Sequence, residues 1–159
     1  MSALFAGARI LITGGTGSFG EFAINRFLES DPAQIIIYSR DELKQVEMEK
    51  KFPGNRKTQL RYFIGDVRDL MRLKLAMQGV DYVFHFAGIG DIVPSIENPA
   101  NYMDTNVQGT IKVLEAARFS LAAAAFCVCA AFSDKAAESD SSASVCASIG
   151  SGLNALAIS

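Results

Sequence analysis

The sequence carries no excess charge of one sign, no hydrophobic run long enough for a bilayer and no cysteine framework. Its 15 Lys and Arg stand against 17 Asp and Glu, a net charge of −2 at pH 7. That balance offers no basic face to a nucleic acid backbone or an anionic membrane, and points to a small-molecule partner. The longest apolar stretch, Leu121 to Phe132, is too short to cross a membrane and suits a buried element. Met1-Ser-Ala-Leu4 shows no secretory signal, so a cytoplasmic location is the expectation. Cys127, Cys129 and Cys146 are odd in number and all late in the chain, which leaves no disulfide framework. Cys127 and Cys129 would share one face of a strand, where buried reduced thiols compete with a metal site; zinc usually takes four spaced ligands, so no metal is expected. No internal repeat of the kind that builds a solenoid is visible.

What is present is a chain of 159 residues, 50% apolar, enough for one domain with a sizeable core. Its most informative stretch is Arg9-Ile-Leu-Ile-Thr-Gly-Gly-Thr-Gly-Ser-Phe-Gly20, a buried-strand run that passes into a glycine-spaced turn and a helix start. A lone glycine-rich string is weak, because any strand-to-helix turn can carry one. With a strand before it and an amphipathic helix after it, the spacing is that of a dinucleotide phosphate cradle. Gly14 takes a tight turn, Gly17 lets the backbone approach a pyrophosphate, and Gly20 lets helix and strand pack closely. The pyrophosphate would rest on the free N–H groups and positive dipole end of that helix.

The rest of the chain alternates β-branched runs with helix-period segments, the pattern of repeated βαβ units on a parallel sheet. Strands are predicted at about 9–13, 34–38, 60–64, 82–86 and 126–131, and helices at 18–29, 41–52, 69–77 and 100–118. Phe19, Ala23 and Phe27 mark the buried face of the first helix, and Asp31-Pro32 stops it. In the second helix Glu47 is spaced to pair with Lys51, and Pro53-Gly54-Asn55 ends it. A loop containing Gly and Pro follows the fourth strand. The expected fold is a Rossmann-type doubly wound α/β sheet, incomplete at its C-terminal side, with ligands at the carboxyl ends of the strands.

The end of the second strand should choose between the nicotinamide dinucleotides. An acid there accepts from the adenosine ribose hydroxyls, whereas an Arg meets a 2′-phosphate. The chain places Ser39-Arg40 at that point, which favours NADP. Asp41 keeps NAD open as the alternative, although an acid in a first helical turn has a structural use of its own. A solvated surface charge is the commoner fate of an Arg.

On these motifs the chain resembles the extended short-chain dehydrogenase/reductases that modify nucleotide sugars. Thr13 to Gly20 matches that family's glycine motif, and Gly65-Asp66-Val67-Arg68-Asp69 its adenine-contacting turn. Val83-Phe-His85-Phe-Ala87-Gly88 is similar to its fourth-strand motif beside the cofactor, and Thr105-Asn106-Val107-Gln-Gly109-Thr110 to the helix motif whose Asn holds the active-site geometry. The resemblance implies a cofactor held by Gly14, Gly17, Ser18, Phe19, Gly20, Ser39, Arg40, Lys44, Asp66, Val67, Ala87, Gly88 and Asn106. Tyr38-Ser-Arg-Asp-Glu-Leu-Lys-Gln45 is similar to the polysaccharide-biosynthesis branch of UDP-N-acetylglucosamine 4,6-dehydratases, in which Ser39, Arg40 and Lys44 would surround the NADP phosphate. Ile89-Gly-Asp-Ile-Val-Pro-Ser95 looks more like the corresponding loop of UDP-sugar 4-epimerases. Either reaction implies a UDP-sugar substrate and a 4-keto sugar intermediate.

Such chemistry normally uses a Tyr and a Lys one helical turn apart, the ammonium lowering the phenol pKa. The positions that the family's spacing assigns to them hold Ala143 and Ala147. Ser133-Asp134-Lys135-Ala136 resembles the dehydratase branch's Thr-Asp-Lys-Ala segment, which implies Ser133 orienting the C4 hydroxyl and Asp134 and Lys135 as acid and base. The competing reading is a polar turn in a biased stretch. Residues 119–159 are dominated by Ala and Ser, with Lys135 the one basic residue, and contrast with the core at 1–118. A small-residue tail and a misread stretch both explain that bias. His85 is expected to be a hydrogen-bonded structural residue rather than a base. Against the family the chain is expected to be truncated. An exposed strand edge and uncovered apolar faces would then favour a homo-oligomer. Two functions stay open: the cofactor half of a nucleotide-sugar dehydratase or epimerase, and a non-catalytic NADP-binding or redox-sensing module.

Overall fold

Ile10, Leu11 and Ile12 are consecutive and all fully buried, which a strand allows only where both faces of its sheet are covered. They form the middle of β1 (Arg9–Thr13), the central strand of the molecule. The computed structural model describes residues 5–52, 59–120 and 125–128. In chain order β1 is followed by α1 (Ser18–Leu28), β2 (Gln34–Ser39), α2 (Glu42–Lys51), β3 (Leu60–Ile64), α3 (Leu70–Ala76) and β4 (Tyr82–His85). Then come α4 (Ile92–Glu97), α5 (Pro99–Met103), a π-helical turn (Asp104–Gln108), α6 (Gly109–Ser120) and β5 (Ala125–Val128).

All strand pairs are parallel, and the spatial order is β3-β2-β1-β4-β5. The doubly wound sheet expected from the sequence is the sheet observed. Side chains alternate across it with a period of two. Ile10, Ile12, Ile35, Ile37 and Phe84 face one way, against Ala23, Ile24 and Phe27 of α1 and Met48 of α2. Leu11, Ile36, Tyr38 and Val83 face the other, against Leu73 and Ala76 of α3 and Val113, Ala116 and Ala117 of α6. Each fully buried aliphatic side chain contributes about 1.5 to 3 kcal/mol, so two continuous layers of them fix the sheet's position. The chain reverses its winding when it leaves β3 and returns beside β1 as β4. That reversal opens a crevice at the carboxyl ends of β1 and β4, where open α/β sheets bind ligands.

Several boundaries differ from the sequence expectation. α1 ends at Leu28, before the Asp31-Pro32 stop, with Asp31 at a φ of 51°. Asp41 lies outside α2 as its cap, accepting from the Lys44 N–H at 3.0 Å. Asp69 does the same for α3, from Arg72 N–H. The expected Glu47–Lys51 pair is replaced by a bridge between α2 and α1, in which Lys51 lies 2.9 Å from Glu21. The loop after β4 contains α4, and the single helix expected at 100–118 is α5, the π turn and α6 in succession. β5 begins at Ala125; the expected strand residues 129–131 lie outside the described residues, as do Pro53-Gly54-Asn55, Cys129 and Cys146.

Candidate functional site

Two walls meet at the carboxyl edge of the sheet. The first is the turn from β1 into α1. Gly14 has a φ of +70°, and a Cβ there would stand 2.6 Å from the Ala87 backbone nitrogen. The turn is thereby pressed against the chain leaving β4. A Cβ on Gly20 would stand 2.5 Å from the Gly15 Cα, so α1 can approach the turn only as glycine. Gly17 is different. Its φ of −79° suits any residue, and a Cβ would meet only the Gly14 carbonyl at 3.4 Å. Among the described residues nothing requires glycine at 17.

Gly17 is also the N-cap of α1 and supplies no side-chain cap to the first-turn N–H groups of this 11-residue helix, whose positive dipole end lies at the turn after β1. Ser18 is exposed beside them. Phe19 packs edge-on against Phe86 with ring centroids 4.8 Å apart, tying α1 to the end of β4. The one acid of that first turn, Glu21, is held by Lys51 at 2.9 and 3.0 Å. An uncapped helix N-terminus beside a position that has room for a Cβ but lacks one fits a pyrophosphate.

The second wall is made of side chains. Arg40 is exposed just past β2, with Nη1 3.6 Å from Asp66 Oδ2. Two residues assigned to the cofactor from separate motifs thus meet at the ends of β2 and β3. Asp66 is gripped by Arg68, whose Nε donates to Oδ1 at 3.0 Å and whose Nη2 donates to Oδ2 at 2.8 Å. These bonds hold the Asp66 carboxyl below the usual carboxylate range, with partial burial opposing them. The other arm of Arg68 donates to Asp104 at 3.1 Å, at the start of the π turn. The Tyr38 hydroxyl donates to the Asp66 carbonyl at 2.8 Å, and burial raises its pKa. Val67 is buried in the core. Ser39 is buried and receives a hydrogen bond from Gln45, while Lys44 is exposed one turn into α2.

Behind both walls runs a chain of buried and half-buried polar groups. Thr110 donates its hydroxyl to the Asn106 carbonyl at 2.5 Å, so it must accept from His85 Nε2 at 3.0 Å. His85 therefore carries its proton on Nε2, and Nδ1 accepts from the Thr13 hydroxyl at 2.6 Å. Burial lowers the His85 pKa to about 4, which keeps the ring neutral. The Asn106 amide pins the backbone of Ile89, accepting from its N–H at 2.8 Å and donating to its carbonyl at 2.9 Å. Gly88 lies against it, where a Cβ would come 3.2 Å from Asn106 Oδ1.

Arg68 and Gln45 were given no role from sequence. A residue spaced two from Asp66, and one spaced four from a helix cap, were the available signals. Ser133, Asp134, Lys135, Ala143 and Ala147 lie outside the described residues. Among the described residues no cluster of metal-ligating side chains occurs, and no helix is long and apolar enough to cross a membrane.

Residues 10–146 match the family described as polysaccharide biosynthesis protein. The chain belongs to that family. Within it, a UDP-N-acetylglucosamine 4,6-dehydratase (inverting) from Campylobacter jejuni (strain 81-176) is 49% identical over 114 residues, covering 71% of this chain and 33% of the relative. A UDP-glucose 4-epimerase from Rickettsia prowazekii is 42% identical over 118 residues, covering 72% and 34%. Among solved structures, a dTDP-glucose 4,6-dehydratase from Streptomyces venezuelae with NAD bound superimposes with a TM-score of 0.60 at 29% identity, covering 70% of this chain and 36% of that one. The chain spans about a third of the length of the curated relatives it matches. This polysaccharide biosynthesis family member thus has the Rossmann-type fold of nucleotide-sugar dehydratases and epimerases, and that fold carries a nicotinamide cofactor in the S. venezuelae enzyme.

Proposed function

We propose that the chain forms the NADP-binding half of a nucleotide-sugar 4,6-dehydratase or 4-epimerase that works through a 4-keto UDP-sugar. The observation that carries this reading is Gly17, a glycine its own fold has room to replace, at the uncapped start of α1. The α1 N-terminus binds the pyrophosphate through its backbone donors. Arg40, Ser39 and Lys44 take the 2′-phosphate, and Asp66 and Val67 the adenine. Ala87 and Gly88 pass beside the cofactor, and Asn106 keeps that segment in place through Ile89. The bound nicotinamide supplies a hydride acceptor for sugar C4. Ser133 orients the C4 hydroxyl, with Asp134 and Lys135 as acid and base, on the strength of their resemblance to the dehydratase segment. The similarity of Tyr38 to Gln45 to that branch supports the dehydratase, and the loop from Ile89 to Ser95 supports the epimerase. An exposed apolar row on and before α6, Val107, Ile111 and Leu114, supports a homo-oligomer.

Ala143 and Ala147 favour a second reading, a dinucleotide-binding module without turnover. With those residues in place, the chain is expected to bind NADPH and leave UDP-N-acetylglucosamine and UDP-glucose unchanged; robust turnover would remove the second reading. A peptide map of residues 119–159 that recovers Tyr and Lys at the expected spacing would do the same. For the cofactor, Arg40→Ala is expected to weaken NADPH binding by about 1.5 to 3 kcal/mol and NADH binding far less, since one charge-assisted phosphate contact is lost. Equal losses in a fluorescence titration would reject the NADP assignment.

A further inference from the structure

We infer that Gln45 is a specificity-determining residue, which selects a 2′-phosphate by fixing the Ser39 hydroxyl as a hydrogen-bond donor. The inference rests on the NADP reading above. Gln45 is 4% exposed on α2, and its Nε2 faces three oxygens: Ser39 Oγ at 2.9 Å, Ser39 carbonyl at 3.3 Å and Phe63 carbonyl at 3.2 Å. Two of these are carbonyls, which can only accept, so the amino end of the amide must face them. An amide nitrogen does not accept, so the bond to Ser39 consumes a lone pair of the hydroxyl and leaves its proton for another acceptor.

The placement of Gln45 follows from the sequence. Asp41 caps α2, and Gln45 N–H bonds to the Asp41 carbonyl at 3.2 Å, one turn along. That turn points the amide back to the end of β2 and across to β3. Ser39 is the last residue of β2, next to the exposed Arg40. A phosphate monoester carries close to two negative charges at neutral pH and accepts hydrogen bonds through its oxygens. A free ribose hydroxyl carries a proton of its own as well as lone pairs, and the usual partner for that proton at this point in the fold is a carboxylate. A hydroxyl with one of its two lone pairs taken and its proton uncommitted is set to donate to a phosphate oxygen, and offers the ribose proton one remaining neutral lone pair in place of a carboxylate. Gln45 thus acts on the cofactor through Ser39, as a positioning residue.

The test is a titration of the protein with NADPH and NADH, and with the redox-inert fragments 2′,5′-ADP and 5′-ADP. Gln45→Glu reverses the polarity at Ser39, because a carboxyl oxygen would take the serine proton. It is expected to weaken NADPH and 2′,5′-ADP about tenfold, and NADH and 5′-ADP by less than about threefold. Gln45→Met, which keeps the length and loses the bond, carries the test if the Glu variant fails to fold. It is expected to shift the ratio of the two affinities in the same direction. In a Ser39→Ala background, Gln45→Met should leave that ratio unchanged, since the residue it acts through is gone. Equal weakening of phosphorylated and unphosphorylated ligands would make Gln45 a packing residue and overturn the inference, as would a ratio change that persists in Ser39→Ala. A parent protein that binds NADH as well as NADPH would instead bring down the NADP reading and the inference with it.

Discussion

The turn after β1 and the ends of β2 and β3 lie on one edge of one sheet and are built by opposite means. The first is made of backbone and missing side chains: a left-handed Gly14, a Gly20 in contact with Gly15, and the bare N-terminus of α1. The second is made of charged and polar side chains: Arg40, Asp66, Arg68, Ser39 and Gln45. The difference matches what each wall would recognise. A pyrophosphate is common to every dinucleotide and can be held by peptide N–H groups that any sequence provides. An adenosine end with or without a phosphate differs between cofactors, and only side chains of chosen charge can tell the two apart. On the proposed reading, backbone would supply the general contact and side chains the discrimination.

The sharpest way to break the first wall is Gly14→Val. A β-branched side chain at φ +70°, aimed at the Ala87 backbone, should destabilise the fold by about 2 to 4 kcal/mol in denaturant unfolding. A loss under about 1 kcal/mol would show that the turn relaxes away from β4.

The polar chain behind the wall predicts a pH dependence. His85 titrates at about 4 in the fold and at about 6.5 when unfolded, so the unfolded chain binds the extra proton first. Its contribution is fully present above the unfolded value and is lost as pH falls toward 4, with a slope approaching about 1.4 kcal/mol per pH unit between the two. His85→Gln should flatten that part of the stability profile. An unchanged slope would place the proton uptake on other groups.

Gly17→Ala separates fold from binding. Stability should change by less than about 1 kcal/mol, because the backbone there suits alanine and the space is open. Dinucleotide affinity should fall about tenfold or more, equally for NADH and NADPH, as a methyl group would enter the pyrophosphate's place. Retained affinity would remove the main support for the cofactor reading.

The smallest effect belongs to the second wall. Arg68→Met should raise the Asp66 carboxyl toward the ordinary carboxylate range, read by carboxyl NMR. Asp66's present contribution to stability exists above the unfolded carboxylate pKa, near 3.9, and fades as pH falls through its lower folded value; the variant should lose that acid-range dependence. An unmoved Asp66 titration would assign its low pKa to the backbone N–H of residue 68, which donates to Oδ1 at 2.9 Å, together with Arg40.

The central strands were legible in the sequence because β-branched runs buried on both faces leave a continuous apolar signature. Ile10 to Ile12 and Ile35 to Ile37 are such runs. The glycine turn was legible because its steric demands are local. Helix ends were less so: Asp41 and Asp69 read as first-turn acids and are caps, a distinction of one residue that depends on a φ/ψ change at the boundary. The π turn was not legible at all. It inserts a residue into the helical ladder at Asp104 to Gln108, and the Arg68 to Asp104 bond and the Asn106 to Ile89 bonds, made to other elements, are what the turn serves.

By itself the sequence determined which segments are strands, that both sheet faces are covered and that a bare helix start follows β1, since each rests on neighbours a few residues apart. Only the tertiary structure decided that Arg40 meets Asp66, that Arg68 spans from Asp66 to Asp104, and that Gln45 donates to the Ser39 hydroxyl. Most of those partners lie on different strands and helices. Hydrogen-bond polarity depends on every atom around a group, which packing assembles and a local pattern does not contain.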